Sequence, residues 1–386
     1  MNVVFLSPHF PPNWFRFVVG LRNAGATTLG IADQPWETLR PELREALDDF
    51  YEVTDLGSHD QLTRALGWFI HRRGLIDRID SLNEHWLEIE ARLRTDFNIY
   101  GIDDRTIAAV KRKSVMKKRF VAAGIPVARG QVCRSAQSLR RWIAELGYPV
   151  VAKPDVGVGA ARTFKLTNDA DVERYLRDKP AFDYIVEEFV EGQIVTYDGL
   201  TGKDGEIVFD SSFSYSAGVM ESVNEQIDLY YWISRRIAPD VSDMGRAMVR
   251  AFDVRERPFH FEMFRLNDGR LVALEVNMRP AGGLSVDMIN FANDIDFFQE
   301  WANVVVRGRF EARVTRPFAC LYVMRRDGRP YAMSHTQVMS EFGPLIILEA
   351  PMERTFAAAM GDHAYVLRGP KEKVLISAAR QIQALR

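Results

Sequence analysis

The sequence predicts a chain that opens as a parallel α/β unit, continues as α+β, and ends in a small β-rich segment with a final helix. Three observations predict this. Short apolar runs alternate with helical patterns over about residues 1–100. Beyond them, Asp-Gly pairs at 204–205, 268–269 and 327–328 separate runs of strand length, which reads as hairpins. The length of 386 residues exceeds what one simple core organises, so two or three domains are expected.

Residues 2–7 form an apolar first strand, ended by Pro8 to Pro12. Phe15 to Ala24 has helical spacing and is closed by Gly25. Strands follow at Thr28–Ala32 and from Phe50 to Thr54, then an amphipathic helix from about Asp60 to Arg73. A strand at 77–82 and a helix at 84–97 complete the alternation. No Gly-x-Gly-x-x-Gly follows the first strand, so no dinucleotide site is assigned here. A helix over about 106–123 carries Met116, Phe120 and Ala123 on one stripe and stops at Gly124-Ile-Pro126. A strand near 129–133, a helix at 135–146 and a strand at 148–153 come next. A partner strand at 162–166 lies across a glycine loop. A helix at 168–178 leads to the strand Tyr184–Glu188. Residues 196–200 and 206–209 flank the first Asp-Gly turn, and Ser211 to Tyr231 reads as a polar, mobile loop region. A helix within 237–252, a hairpin over 259–277 and an interrupted helical stretch at 287–306 follow. The tail from 313 carries a hairpin at Asp327-Gly328 and a last helix at 370–385.

Hydrophobic content of 47% and charged content of 26% are ordinary for a soluble globular protein. A net charge of −2 argues against nucleic-acid binding driven by bulk charge. Cys133 and Cys320 are far apart and lack metal-ligand spacing, which fits a reducing compartment. The N-terminus lacks a basic segment before a long apolar run, and no stretch of 18 apolar residues occurs. A cytoplasmic protein with no membrane partner is expected.

The chemistry concentrates in five places. In the hairpin, a type I′ turn at Asp268-Gly269 would pair Asn267 with Arg270. Counting outward puts Glu262 opposite Glu275 and His260 opposite Asn277. Alternation then places Glu262, Glu275 and Asn277 on one face and Phe261, Met263, Leu274 and Val276 on the other. Opposed like charges are destabilising unless something holds them, and a hard divalent cation such as Mg²⁺ suits two carboxylates and an amide oxygen. The bland alternative is a solvated hairpin face.

The strand ending in Lys153 runs into Pro154-Asp-Val-Gly157-Val-Gly159-Ala-Ala, whose backbone N–H groups can cradle phosphate. No Gly-Lys-Ser/Thr follows, so this is not a Walker loop. Lys113 and Lys117 stand one helical turn apart in a basic run and can reach a common anion. Glu187, Glu188, Phe189, Val190 and Glu191 form an apolar strand running into an acidic turn, able to offer backbone groups to a flat heterocycle. Arg279 sits beside the metal strand, before Pro280-Ala-Gly282-Gly283, where it can stabilise a transferring phosphoryl group. Each has a plain structural alternative: a strand-end lysine, a charged helix face, an edge strand, a turn-closing arginine.

The order of these pieces resembles the ATP-grasp superfamily of carboxylate–amine ligases, which includes biotin carboxylase and D-alanine–D-alanine ligase. The resemblance covers about residues 105–310 and implies an ATP-grasp fold at 105–312, with a lid subdomain at about 124–190. It implies an N-terminal α/β domain at 1–104 and a small β-rich domain at 313–386. It assigns Lys113 and Lys153 to ATP phosphates, Gly157–Ala161 to the lid over them, and 187–190 to an adenine-binding hinge. Glu262, Glu275 and Asn277 become ligands of Mg²⁺ (or Mn²⁺), and Arg279, with Lys153, steadies the acyl-phosphate transition state. The family's ribose-binding glutamate has no match at Gln193-Ile194-Val195, leaving Glu191 or Gln193 for that role. The implied reaction joins a small-molecule carboxylate to an amine with ADP release. Homodimers are common in the family. The alternative is an ATP-binding regulatory or scaffold protein without turnover. For substrates, Tyr215, Tyr230, Tyr231, Arg235 and Arg236 are candidate pocket residues, and His9 lies at the end of the first strand.

Overall fold

The computed structural model describes residues 1–157, 162–218, 222–223 and 225–386. Among these, three sheets carry the architecture. The first contains β1 (Asn2–Leu6), β2 (Thr27–Ala32), β3 (Asp49–Glu52) and β4 (Arg78–Asp80), ordered β3-β2-β1-β4 and parallel throughout. Helices α1 (Phe15–Ala24), α2 (Pro41–Ala46), α3 (His59–Arg73) and α4 (Leu87–Asp96) accompany it. Gly25 ends α1 at φ 100°, donating back to Arg22 and Leu21, the left-handed stop expected of glycine.

The predicted helix over 106–123 is two helices, α5 (Ile107–Lys111) and α6 (Lys113–Ala122). Arg112 between them is extended and bridges to Val156. The backbone N–H of Lys113 donates to the Asp155 carbonyl at 2.8 Å, and that of Ser114 to the Asp155 carboxylate at 2.8 Å. A distant loop therefore caps α6, which helical periodicity cannot reveal.

The second sheet contains β5 (Gly130–Val132), β6 (Val150–Pro154), β7 (Phe164–Leu166) and β8 (Tyr184–Glu188), ordered β5-β8-β6-β7 and antiparallel. Helices α7 (Ala136–Leu146) and α8 (Asp169–Asp178) cover it, capped by Ser135 and Asn168.

The third sheet has nine strands. They are β9 (Gln193–Thr201), β10 (Ile207–Ser211), β11 (Phe213–Tyr215), β12 (Tyr230–Ile233), β13 (Pro258–Arg265), β14 (Leu271–Asn277), β15 (Ala319–Arg325), β16 (Ile346–Pro351) and β17 (His363–Gly369). The order is β14-β13-β9-β11-β12-β15-β17-β16, with β10 also on β9. Residues 213–215 and 230–231, read from sequence as loop, belong to strands of this sheet; Gly218 and the polar residues between them masked the pattern. Asp327-Gly328 is a turn rather than a hairpin, because β15 pairs with β12 and β17 and the chain continues to α12 (His335–Phe342).

Helices α9 (Pro239–Phe252), α10 (Ser285–Asn293), α11 (Phe297–Arg307), α13 (Arg354–Met360) and α14 (Glu372–Ile382) complete the chain. The first sheet is locked to the third through α1 and α11, where the Phe17 ring lies 4.7 Å from Phe298 and 5.3 Å from Trp301. Gly245 lets α9 lie on β9. A Cβ there would come within 2.1 Å of the buried Tyr197 ring. Gly245→Ala is therefore expected to cost at least about 2 kcal/mol, overpacking outweighing the ~1 kcal/mol gain in helix propensity. Urea denaturation of the variant checks this, and equal stability would contradict it.

Candidate active site

The β13–β14 hairpin supplies the acidic centre. Register pairs His260 with Asn277 and Glu262 with Glu275, as the sequence predicts. The route differs. Leu266 and Arg270 close a three-residue loop in which Gly269 takes φ 88°, instead of a two-residue type I′ turn. A bulge after Glu262 then shifts the register by one, so Met263 pairs with Ala273. The two departures cancel at the glutamates. They do not cancel at Leu274, which faces the cleft beside Glu275, while Ala273 takes the buried side with Phe261, Met263 and Val276.

This face of the hairpin and the second sheet enclose one cleft. Lys113, Lys153, Gly157, Glu187, Glu188, Phe189, Val190, Glu191, Glu262, Glu275, Asn277 and Arg279 all line it. Gly159, with the rest of 158–161, lies outside the described residues. The two sheets are pinned beside the cleft by the N–H of Ala273, which donates to the Pro126 carbonyl at 2.7 Å.

Charges in the cleft are paired. Lys113 Nζ lies 2.8 Å from Glu275 and 3.2 Å from the Gly157 carbonyl. Burial opposes its charge, but Glu275, with Glu187 and Glu84 behind, holds its pKa above the usual lysine value. Lys117 and Lys113 do not share an anion. Lys117 Nζ donates to the Ala128 carbonyl at 2.7 Å and lies 3.1 Å from Glu187, whose other oxygen is 2.8 Å from Lys153 Nζ. Burial would raise the Glu187 pKa, yet the two lysines outweigh it and hold the carboxyl below its ordinary value. Burial dominates at Lys117 and lowers its pKa.

Glu187 is thus the counter-ion of both lysines. Its backbone is inside β8, paired with Gly130 on one side and Val151 on the other. The next two backbone donors are also engaged, Glu188 N–H with the Arg129 carbonyl and Phe189 N–H with the Pro149 carbonyl. Glu191 is exposed at the cleft, whereas the Gln193 amide is taken by the Tyr215 carbonyl at 3.2 Å.

His260 links Asp198 (2.7 Å from Nδ1) to Glu262 (3.2 Å from Nε2). Burial would discharge the ring, but the two carboxylates push its pKa up to about 9. The sequence offered a signal for it, since His260 stands two residues from Glu262 and so shares its face. Arg279 bonds the Pro280 carbonyl at 2.8 Å and lies 3.6 Å from Glu84, which Lys111 also holds at 3.0 Å. Behind it, Arg257 ties the Met278 carbonyl (2.6 Å) to Asp80 (2.7 Å), fixing the end of β14 to β4.

Donor chemistry here fits a hard divalent cation. Glu262, Glu275 and the Asn277 amide are oxygen donors on one face, and the buried Asn277 Nδ2 has no hydrogen-bond partner among the described residues, so the amide is free to turn its oxygen inward. The candidate substrate residues do not converge. Tyr231 is in the core stacked on Tyr215, Arg235 bonds the Arg316 carbonyl, Tyr230 meets Arg380, and His9 pairs with Asp33.

Residues 146–287 match the model of the ATP-grasp domain family. The chain is 26% identical over 265 residues to the L-arginine-specific L-amino acid ligase of Bacillus subtilis, covering 66% of this chain and 63% of that ligase. The structure of an L-amino acid ligase from Bacillus licheniformis superposes with a TM-score of 0.75 at 15% identity, over 99% of this chain and 96% of that one. The biotin carboxylase domain of Hydrogenobacter thermophilus 2-oxoglutarate carboxylase, bound to MgADP and bicarbonate, gives 0.71 at 15% identity, over 99% and 89%. Residues 146–287 are thus similar to the ATP-grasp domain family, and the chain as a whole shares the fold of the L-amino acid ligase structure.

Proposed function

We propose that the protein is an ADP-forming ligase that activates a small-molecule carboxylate as an acyl phosphate and joins it to an amine. One observation carries this reading: Lys113, Lys153 and Arg279 converge on the same cleft as Glu262, Glu275 and Asn277. The L-amino acid ligase relative supports amino acids as the substrate class.

In this reading the triphosphate takes over Lys113 and Lys153, which hold Glu275 and Glu187 in its absence. The substrate carboxylate oxygen attacks the γ-phosphorus and the bond to ADP breaks. The amine then attacks the acyl carbon, phosphate leaves, and a proton is lost from nitrogen. The chain's own contribution is positioning and charge neutralisation. Lys153 and Arg279 spread charge on the moving phosphoryl group. Glu262, Glu275 and Asn277 would hold Mg²⁺ (or Mn²⁺), which supplies further neutralisation of phosphate charge. Adenine lies against Val190 and Glu191, with Glu191 favoured over Gln193 for the ribose hydroxyls. We also assign 1–104, 105–312 (lid about 124–190) and 313–386 as domains, and place the protein in the cytoplasm, as a homodimer or monomer. No helix among the described residues is long and apolar enough to cross a membrane.

The test is ADP release from Mg-ATP with pairwise amino-acid mixtures, with mass spectrometry of the product. ADP release that needs both a carboxylate and an amine, with a condensation product, is expected. Tight ATP binding with silence across broad panels would favour a regulatory protein instead.

A further inference from the structure

A second convergence of donor atoms lies in the C-terminal part of the nine-stranded sheet. His335 opens α12, Glu349 is on the edge strand β16, and His363 opens β17. Register pairs Pro351 with His363 and Glu349 with Tyr365, so Glu349, His363 and Tyr365 share one face. His335 packs onto that face, its ring 5.5 Å from that of His363. One ligand atom from each of His335, Glu349 and His363 lies within 4.8 Å of the other two.

Two details point to an ion rather than to a surface cluster. His335 Nδ1 is 2.9 Å from the Tyr365 hydroxyl. Donation of Nδ1–H to that oxygen leaves the Nε2 lone pair for a ligand, the outer hydrogen bond that metal-bound histidines commonly make. His363 Nε2 is shut off from solvent and stands 2.6 Å from a Glu349 oxygen. An imidazole nitrogen and a carboxylate oxygen so placed need positive charge between them, which a ring proton supplies and a metal ion can replace. Glu349 is exposed and can withdraw to admit it.

We propose that His335, Glu349 and His363 bind one divalent ion of the Zn²⁺ class, independently of the nucleotide cleft. Two nitrogens and one carboxylate suit Zn²⁺ or its neighbours and do not suit Mg²⁺, which takes oxygen ligands. The fourth position is open to water. The ion staples α12 and the edge strand β16 to β17, which also guards the exposed edge of the sheet.

The test is a Co²⁺ and Zn²⁺ titration of the full chain with excess Mg²⁺ and ATP present. Visible Co²⁺ absorption, competition by Zn²⁺ and the thermal midpoint are the readouts. One ion per chain is expected, with a four-coordinate nitrogen/oxygen spectrum and a raised midpoint. His335→Ala and Glu349→Gln should each weaken binding by more than the ~10–100-fold typical of losing an outer-shell partner. ADP release should be unchanged in both. Glu275→Gln should leave the Co²⁺ spectrum intact. Absence of saturable binding, or binding that survives both His335→Ala and Glu349→Gln, would overturn the proposal whether or not the ligase reading holds.

Discussion

Glu275→Gln is expected to lower kcat for ADP release ~100–1000-fold, the scale on which removal of a preorganised electrostatic group acts, while the chain still folds. Glu275 stands directly across from Glu262, and its carboxylate is held by Lys113 at 2.8 Å. Glutamine keeps the volume and the oxygen but removes the charge that a hard cation needs. The same change frees Lys113 from its carboxylate partner. ATP affinity measured without a divalent ion should therefore hold steady or improve, whereas affinity measured with Mg²⁺ should fall. That opposition separates loss of the metal from general damage, which would weaken both. Steady-state kinetics with nucleotide titrations in the presence and absence of Mg²⁺ check it. Wild-type turnover would remove the hairpin from the mechanism.

This prediction rests on a pairing that was legible in the sequence for partly the wrong reason. Counting outward from Asp268-Gly269 reaches Glu262 opposite Glu275 only because a longer loop and a bulge offset each other. Leu274 exposes the error, since it lies between the two departures and faces the cleft. Most strands and helices of residues 1–100 were readable because their periodicity is local, but the six-residue α2 is too short to show one and was not read. The break at Arg112 was not, because the groups replacing the helical bonds come from Asp155 and Val156. Nor does a local pattern tell that residues 319–369 extend the sheet carrying the hairpin, as β12 and β15 pair across about ninety residues. The cleft lining was legible as a set; the partners within it were not. Glu187 is the clearest instance, an acidic residue at the end of an apolar strand whose meaning depends on two lysines supplied by α6 and β6.

Glu187→Gln is expected to destabilise the nucleotide-free protein by about 3–5 kcal/mol, the usual cost of breaking a buried ion pair from one side. Glu187 is 4% exposed and its carboxylate stands between Lys117 and Lys153, so removing its charge leaves two buried ammonium groups facing one another. Room for this arrangement comes from Gly130, where a Cβ would sit 2.7 Å from the Glu187 Cγ and 3.1 Å from the Lys117 Cε. Lys117 keeps the Ala128 carbonyl, but that bond supplies no negative charge. Acid should erase the difference. The folded Glu187 carboxyl has a pKa below its unfolded value, so its contribution is complete above the unfolded carboxylate pKa of about 4.3 and fades as pH falls through the folded value. The stability gap between wild type and variant should hold steady from neutral pH down to that point and narrow below it. Nucleotide should close part of the gap at neutral pH as well. Phosphate oxygens in the cleft would give Lys153 the negative partner that the variant lacks, so ATP should raise the thermal midpoint of Glu187→Gln more than that of wild type. Denaturant titrations across pH, with thermal shifts in ATP, read both effects. A variant as stable as wild type at neutral pH would mean that the two lysines shed their protons when Glu187 is removed, and the cleft would then meet ATP without the charge assigned to Lys153.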